Sequence, residues 1–327
     1  VSERPAELVW NKGIARLCDH RLPDEFPDGL TYRSVPTLAG AAISPDLPSD
    51  VIADPGRYAA VKDGDLVWVR LSWLPSFVRQ VLPAVRARFV LATADSDSSV
   101  PSDLPRELAQ AILGSPKVIR WFTQNHDGTA SERISPLPIG IDFHSVAERS
   151  IWGEEIASAS RQEATLLAIA RSLPPLARRV PAVYLDFDPS RRVSAPAAAR
   201  LFESRRTIAK RLRRRQGIVC QEGTLPRGEM WRRRGQYAAV LSPHGNGLDC
   251  HRTWEALALG HLLVVPASPL DPLFEGLPVV AVRRWDDVTA GNLARWLLQA
   301  ATATPSPAGP LSSRYWVERM RTVTVSS

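Results

Sequence analysis

The sequence predicts an α/β protein built from two parallel sheets in series. Three observations carry that expectation. Short apolar strands alternate with helix-period segments, first over residues 66–141 and again over 182–301. A Pro- and Arg-rich stretch, Pro174-Pro175-Leu176-Ala177-Arg178-Arg179, separates the two runs. The length of 327 residues suits about two domains.

The elements follow in order. Residues 1–60 are polar and turn-rich, with Pro23-Asp24, Pro27-Asp28-Gly29 and Pro45-Asp46 as breaks. Leu66–Arg70 follows the turn Asp63-Gly64 and reads as a strand. Leu71–Val85 reads as a helix because Leu74, Phe77, Val78 and Val81 share a face. Arg88–Thr93 is a buried-type strand ending in the polar loop Ala94–Ser99. A helix over Leu104–Leu113, a strand over Val118–Phe122 and a Pro-broken apolar run over Ile134–Ile141 complete the first set. Residues 150–179 read as helical. The second set runs strand Ala182–Phe187, helix Ala197–Arg215, strands Gly217–Cys220 and Ala238–Ser242, and helix Asp249–Leu259. Strands Leu262–Pro266 and Pro278–Val282 follow, then a helix over Thr289–Ala301. Ala303–Gly309 is a linker and Arg314–Arg321 a last helical segment. No internal repeat is visible.

Composition excludes several classes. Apolar residues make up 44% and charged residues 23%, too balanced for a disordered, collagen-like or coiled-coil chain. No apolar run reaches the roughly 20 residues of a membrane span, and no signal-peptide core stands near the start. The three cysteines, Cys18, Cys220 and Cys250, form no CxxC pair, and an odd count suits a reducing, cytoplasmic setting. The net charge of +7 favours anionic partners.

The stretch richest in signal is Val240–Val265. A buried strand ends at Ser242, the loop His244-Gly245-Asn246-Gly247 follows, and a helix opens with Asp249 as an expected N-cap and stops at Gly260. Strand, Gly-rich turn and helix N-terminus together make an anion site, because glycines admit close backbone approach and the helix start presents N–H groups. The spacing is neither GxGxxG nor GxxxxGK. An ordinary tight turn between strand and helix fits the spacing equally well. Arg252 and Glu255 share one helical face, which allows Arg252 to meet phosphate and Glu255 to accept from vicinal ribose hydroxyls, or the two to form a plain surface pair. His251 and Glu255, four apart, lack a third metal ligand in the sequence.

These residues resemble the C-terminal motif of exostosin-like glycosyltransferases, carried here by Leu241, Pro243, His244, Gly245, Arg252, Glu255, Ala256, Leu257, Gly260 and Val264. Bacterial and viral members are more similar still, with a string like Gly245–Glu255. Trp121–Asn125, Pro136–Asp142 and Leu91–Asp97 are similar to them as well. His261-Leu262-Leu263 departs from the family's Cys-Ile-Pro-like step. The resemblance implies a GT-B fold, two Rossmann-like domains facing a cleft, with residues 1–175 on the acceptor side, 176–305 holding the donor, and 306–327 a linker and C-terminal helix. It implies transfer of a sugar from a nucleotide diphosphate sugar to a hydroxyl of a glycan or lipid-linked acceptor, with inversion, in surface polysaccharide or glycoconjugate synthesis.

On that basis the donor diphosphate lies on Gly245, Asn246 and Gly247, beside Asp249 and Glu255, with Arg252 and His244 offsetting its charge. No cofactor or metal is expected, and turnover should persist in EDTA. Asp95-Ser96-Asp97 spells DxD but falls in the acceptor domain. An inverting transfer needs a general base. Asp97 and Asp95 rank first because they follow a strand end, then Asp142. Asp127, after Trp121–Asn125, is a further aspartate of this kind. Trp121, Gln124 and Asn125 are expected to line the acceptor side, Trp121 by stacking on a sugar. Lys210–Arg215 and Arg232-Arg233-Arg234 read as solvated helix faces. They could also meet an acidic membrane surface at the inner leaflet. Nucleic acid is disfavoured as a partner, since no aromatics interleave with these arginines. The rivals are a GT-B-like binding protein without a working base and a protein acting on nucleic acid.

Overall fold

The computed structural model describes residues 4–22, 55–190, 196, 202–300 and 309–325. The turns at Pro23-Asp24, Pro27-Asp28-Gly29 and Pro45-Asp46, the start of the helix expected from Ala197, and most of the linker at 303–309 lie outside the described residues.

Two all-parallel sheets are present, one after the other in the chain. The first contains β1 (His20–Leu22), β2 (Leu66–Arg70), β3 (Phe89–Ala94), β4 (Val118–Thr123) and β5 (Ile134–Pro136), paired in chain order. β3 is buried at every position, as a central parallel strand covered on both faces must be. The second contains β6 (Val180–Leu185), β7 (Ile218–Cys220), β8 (Tyr237–Leu241), β9 (Leu262–Pro266) and β10 (Val279–Val282), in the order β10-β9-β8-β6-β7. The chain steps from β6 outward to β7 and then back to β8 on β6's other side. β6 and β8 therefore flank a topological switch point, where open α/β sheets leave a crevice at their strand C-termini.

The helices are α1 (Asn11–Leu17), α2 (Arg106–Leu113), α3 (His144–Glu148), α4 (Ala159–Ser172), α5 (Arg205–Leu212), α6 (Arg227–Arg234), α7 (His251–Ala258), α8 (Ala290–Ala300) and α9 (Ser313–Val325). The helix expected over Leu71–Val85 forms as three short pieces, Leu71–Trp73, Leu74–Ser76 and Phe77–Val81. Pro75 is tolerated in the first turn of the second piece, and Pro83 stops the third from continuing. The helix expected over 150–179 is confined to α4. Ser158 caps its start by accepting from the Arg161 N–H at 3.3 Å, and Pro174 bars its extension. Gly260 ends α7 with φ +74°, the left-handed conformation expected after a helix. The short α1 and β1, in a stretch without periodicity, had no sequence signal.

One apolar core runs through both sheets. It joins Trp68, Val90 and Trp121 of the first to Val240 and Leu263 of the second and to Trp254 of α7, while a smaller core containing Val183, Leu241, Val264 and Trp296 fills the second sheet's other face. α9 does not stay with the second sheet. It returns to pack on α1, β3 and β4, and Ser312 pairs with Leu8. Trp316, 1% exposed, meets Trp254 of α7 edge to face at 6.4 Å. Among the described residues no helix is long and apolar enough to cross a membrane.

Candidate active site

The crevice at the switch point opens into a cavity of about 720 Å³, within the usual range of small-molecule sites. Asp186, Phe187 and Asp188 enter it from the end of β6. Gly245 and Asn246 enter from the loop after β8, and His251, Arg252 and Glu255 from α7. The first domain contributes Asp97, Ile139, Asp142 and Trp152. The cavity is therefore an interdomain cleft.

Its chemistry is dominated by arginine. Arg252 pairs through Nε with Asp186 Oδ1 at 2.9 Å, and its buried Nη1 has no hydrogen-bond partner among the described residues. Arg205 donates from Nε to the His244 carbonyl at 2.7 Å. Arg227 donates to Gln162 Oε1, the Asp142 carbonyl and Glu255 Oε1, at 2.9, 2.6 and 2.9 Å. Arg234 donates to Asp186 Oδ2 at 2.6 Å and Glu255 Oε2 at 3.3 Å. Glu255 thus sits between two guanidinium groups. Burial pushes its carboxyl up, but Arg227 and Arg234 outweigh that and hold it below its usual range. It is not half of a surface pair with Arg252, nor does it join His251 on a metal. Its face of α7 turns toward α6.

Arg205, Arg227, Arg234 and Asp186 had no sequence motif. The sequence groups Arg234 with Arg232 and Arg233 as a solvated face. In the structure Arg232 and Arg233 are exposed, while Arg234 is buried against Asp186 and Glu255. A period argument on α6 finds this: Arg227, Trp231 and Arg234 fall on one side of the helix. Lys210, Arg211, Arg213 and Arg214 are exposed, as expected.

The glycine loop is built differently from its expected role. Neither Gly245 nor Gly247 has a positive φ. A Cβ on Gly247 would stand 2.5 Å from Asn125 Nδ2 and 2.8 Å from the Asp97 carbonyl. Gly247 is small because the two domains touch there, and it does not line the cavity. A Cβ on Gly245 would meet Cys250 Sγ at 2.9 Å and Arg205 Nη2 at 3.1 Å.

His244 is not a second cation. It is buried, donates from Nδ1 to the Leu248 carbonyl at 2.6 Å, and packs edge-on to Phe202. Burial pushes its pKa down to about 4, so the ring is neutral at neutral pH. Asp249 is not an N-cap, because Cys250 holds that position. Its carboxylate instead accepts from the Ile139 N–H across the cleft at 2.8 Å, from the Cys250 N–H at 2.8 Å and from Trp254 Nε1 at 3.0 Å. Burial outweighs those donors and pushes its pKa up to about 6.

The three expected base candidates have different surroundings. Asp97 is exposed and lines the cavity. Asp95 lies off the cavity, in the left-handed region at φ 66°. Asn11 Nδ2 donates to it at 2.9 Å, and Lys12 Nζ and Arg70 Nε lie 3.4 and 3.2 Å away. Burial raises its pKa, but Lys12 and Arg70 outweigh that and keep it ionised. That is a structural ion cluster and a weak base. Asp142 is buried and accepts from the Ser145 N–H at 2.9 Å and Ser145 Oγ at 2.8 Å. His144 and His251 outweigh its burial and hold it well below the usual carboxylate range. Asp127 braces its own loop through Thr129 and Ser102.

The acceptor-side trio sits elsewhere than expected. Trp121 is fully buried and donates from Nε1 to Thr93 Oγ1 at 2.8 Å, so no sugar reaches it. Gln124 accepts from the Asp95 N–H at 3.0 Å and donates to the Ser96 carbonyl at 2.7 Å, shaping the Asp97 loop. Asn125 donates to that same carbonyl at 2.9 Å and accepts from the Asp249 N–H at 2.8 Å, tying that loop to the second domain. The exposed aromatic at the cleft is Trp152, 42% accessible, with Arg227 5.4 Å from its ring centre.

One further group joins the domains. Asp142, His144 and His251 place side-chain donor atoms within 4.8 Å of one another. Sequence spacing could not show this, since His251 comes from the second domain.

No family model and no curated protein matches the chain. Among solved structures it is similar to trehalose-6-phosphate synthase from E. coli bound with UDP-2-fluoroglucose, at 12% identity and TM-score 0.34, over 81% of this chain and 70% of that one. It is also similar to a UDP-forming α,α-trehalose-phosphate synthase from Burkholderia xenovorans in complex with glucose-6-phosphate, at 13% identity and TM-score 0.33, over 81% and 71%. A third, from a study of glycosyl transfer with retention by trehalose-6-phosphate synthase, matches at 13% identity and TM-score 0.34, over 81% and 71%.

Proposed function

We propose that this protein is a glycosyltransferase that takes a sugar from a nucleotide diphosphate donor and attaches it to an acceptor hydroxyl. The observation that carries the reading is the crevice between β6 and β8. It opens on an arginine-rich interdomain cavity with the first turn of α7 in its wall. Such a wall suits a diphosphate, because guanidinium groups and a helix start both favour negative charge. Arg252 is the residue best supplied for the leaving group, with Asp186 holding Nε and Nη1 unpaired. Glu255, kept ionised in the cavity wall, can accept from ribose hydroxyls. Asp97, exposed across the cleft, takes the acceptor proton. The acceptor oxygen then attacks the anomeric carbon as its bond to the diphosphate breaks, which inverts that centre. Trp152 replaces Trp121 as the sugar platform. The kinship to exostosin-like enzymes, the role in surface polysaccharide or glycoconjugate synthesis, and a lipid-linked acceptor approached by the exposed Lys210–Arg214 face belong to the same proposal.

The test combines binding and turnover. In a thermal-shift screen of nucleoside diphosphates and nucleotide sugars, one at 100 times its Kd should add about 2.7 kcal/mol of stability. Arg252→Lys keeps a charge but loses the planar fork. It should lower turnover by about 10²–10³ and donor affinity much less. Asp97→Asn should lower turnover at unchanged donor affinity. Lack of stabilisation by any nucleotide sugar, or near-normal turnover in both variants, overturns the reading. NMR of the product's anomeric proton decides inversion separately.

A further inference from the structure

Asp142 and His144 come from the segment after β5 and from α3. His251 comes from the first turn of α7. One donor atom from each lies within 4.8 Å of the other two, and the two imidazole rings are 5.5 Å apart. His144 Nδ1 lies 3.0 Å from Asp142 Oδ1, close enough to pair with it. With its lone pair on Nδ1, His144 can offer that nitrogen to a cation beside the carboxylate oxygen, with His251 as the third donor. Ligands about 2.1 Å from a tetrahedral ion stand roughly 3.4 Å apart.

The supporting contacts have the same character. Ser145 donates its N–H and hydroxyl to the Asp142 carboxylate, at 2.9 and 2.8 Å. His251 donates from Nδ1 to the Gly140 carbonyl at 2.7 Å, which leaves its lone pair on Nε2. Outer hydrogen bonds of this kind orient metal-binding carboxylates and imidazoles.

We propose that Asp142, His144 and His251 bind one divalent first-row cation, zinc-like in its ligand preference, across the junction of the two domains. Two imidazoles and one carboxylate suit that class better than they suit magnesium or calcium. Three protein donors leave a position for water or for an oxygen of a ligand in the cleft. The inference stands apart from the glycosyl-transfer reading and replaces the sequence expectation that no metal site is present.

The probes are Co²⁺ and Zn²⁺ on the full chain after chelator treatment. Co²⁺ should give a saturable visible absorption band at one ion per chain, and Zn²⁺ should raise the thermal midpoint. His144→Ala and His251→Ala should each abolish the band and weaken Zn²⁺ by at least about 100-fold, with the far-ultraviolet circular dichroism unchanged. Cys220→Ser, which removes an exposed thiol, should change neither. Lack of saturable binding, or binding that survives both histidine variants, overturns the site. If His251→Ala fails to fold, His144→Ala decides alone, since its Nδ1 pairs with Asp142, itself one of the three proposed ligands.

Discussion

His244 shows how burial turns a familiar motif residue into a structural one. Beside a glycine-rich loop it suggests a cation for phosphate. In place it is 7% exposed, and its ring is neutral until about pH 4. The unfolded chain protonates it near 6.5. Between those values the unfolded state holds the extra proton. The residue's contribution is therefore complete above pH 6.5 and is lost as pH falls toward 4. Asp249 acts in the opposite sense. Its pKa is raised from 3.8 to about 6, so its contribution is complete below pH 3.8 and is lost as pH rises through 6. His244→Asn keeps a donor for the Leu248 carbonyl and removes the titration. The stability difference between wild type and this variant, from urea melts at several pH values, should shrink by about 1.4 kcal/mol per pH unit on going down from pH 6.5, roughly 3 kcal/mol in all. A difference that is flat with pH would show that the ring titrates normally. The sequence expects a site over Gly245–Glu255, and Gly245, Asn246, Asp249, Arg252 and Glu255 of that stretch line the cavity. The cavity's other charges are not legible in the sequence, because Asp186, Arg205, Arg227 and Arg234 are gathered only by tertiary packing.

At the scale of elements, most strands fall within two residues of their expected ends, because each is an apolar run closed by a turn residue. Of α6 the sequence marks only Arg232-Arg233-Arg234, as a solvated helix face. Its sequence Arg227–Arg234 is mostly polar, so no apolar stripe announces a helix whose buried side includes two arginines. For the β8–α7 loop the sequence allows an anion-binding turn or an ordinary tight turn; the connection spans residues 242–250, and its second glycine answers to the neighbouring domain. Gly247→Ala should cost about 1–3 kcal/mol and displace the Asp97 loop, since Asn125 Nδ2 and the Asp97 carbonyl occupy the space. Gly291→Ala in α8 is the control. Its Cβ meets nothing within 4 Å, so the variant should gain about 0.4–1 kcal/mol. Equal effects at the two positions, measured by chemical denaturation, would remove the domain contact as the reason for Gly247.

The whole molecule is more unified than two domains in series suggest, because the larger apolar core continues from one sheet into the other. Trp316 of α9 sits in that core against Trp254. Trp316→Ala should cost about 3–5 kcal/mol, and fluorescence and circular dichroism should still trace one shared transition. Two separated transitions would show that the sheets unfold independently. The returning helix also carries a consequence in time. The Trp10 N–H donates to Ser313 Oγ at 3.4 Å, across 303 positions of sequence. The first sheet therefore gains its cover from a segment synthesised after the whole second sheet. During translation its β3 and β4 face must wait, partly uncovered, while the entire second sheet is made. A nascent chain stopped before residue 313 should stay protease-sensitive in its first half and prone to hold a chaperone, until the final turns of α9 emerge and close it.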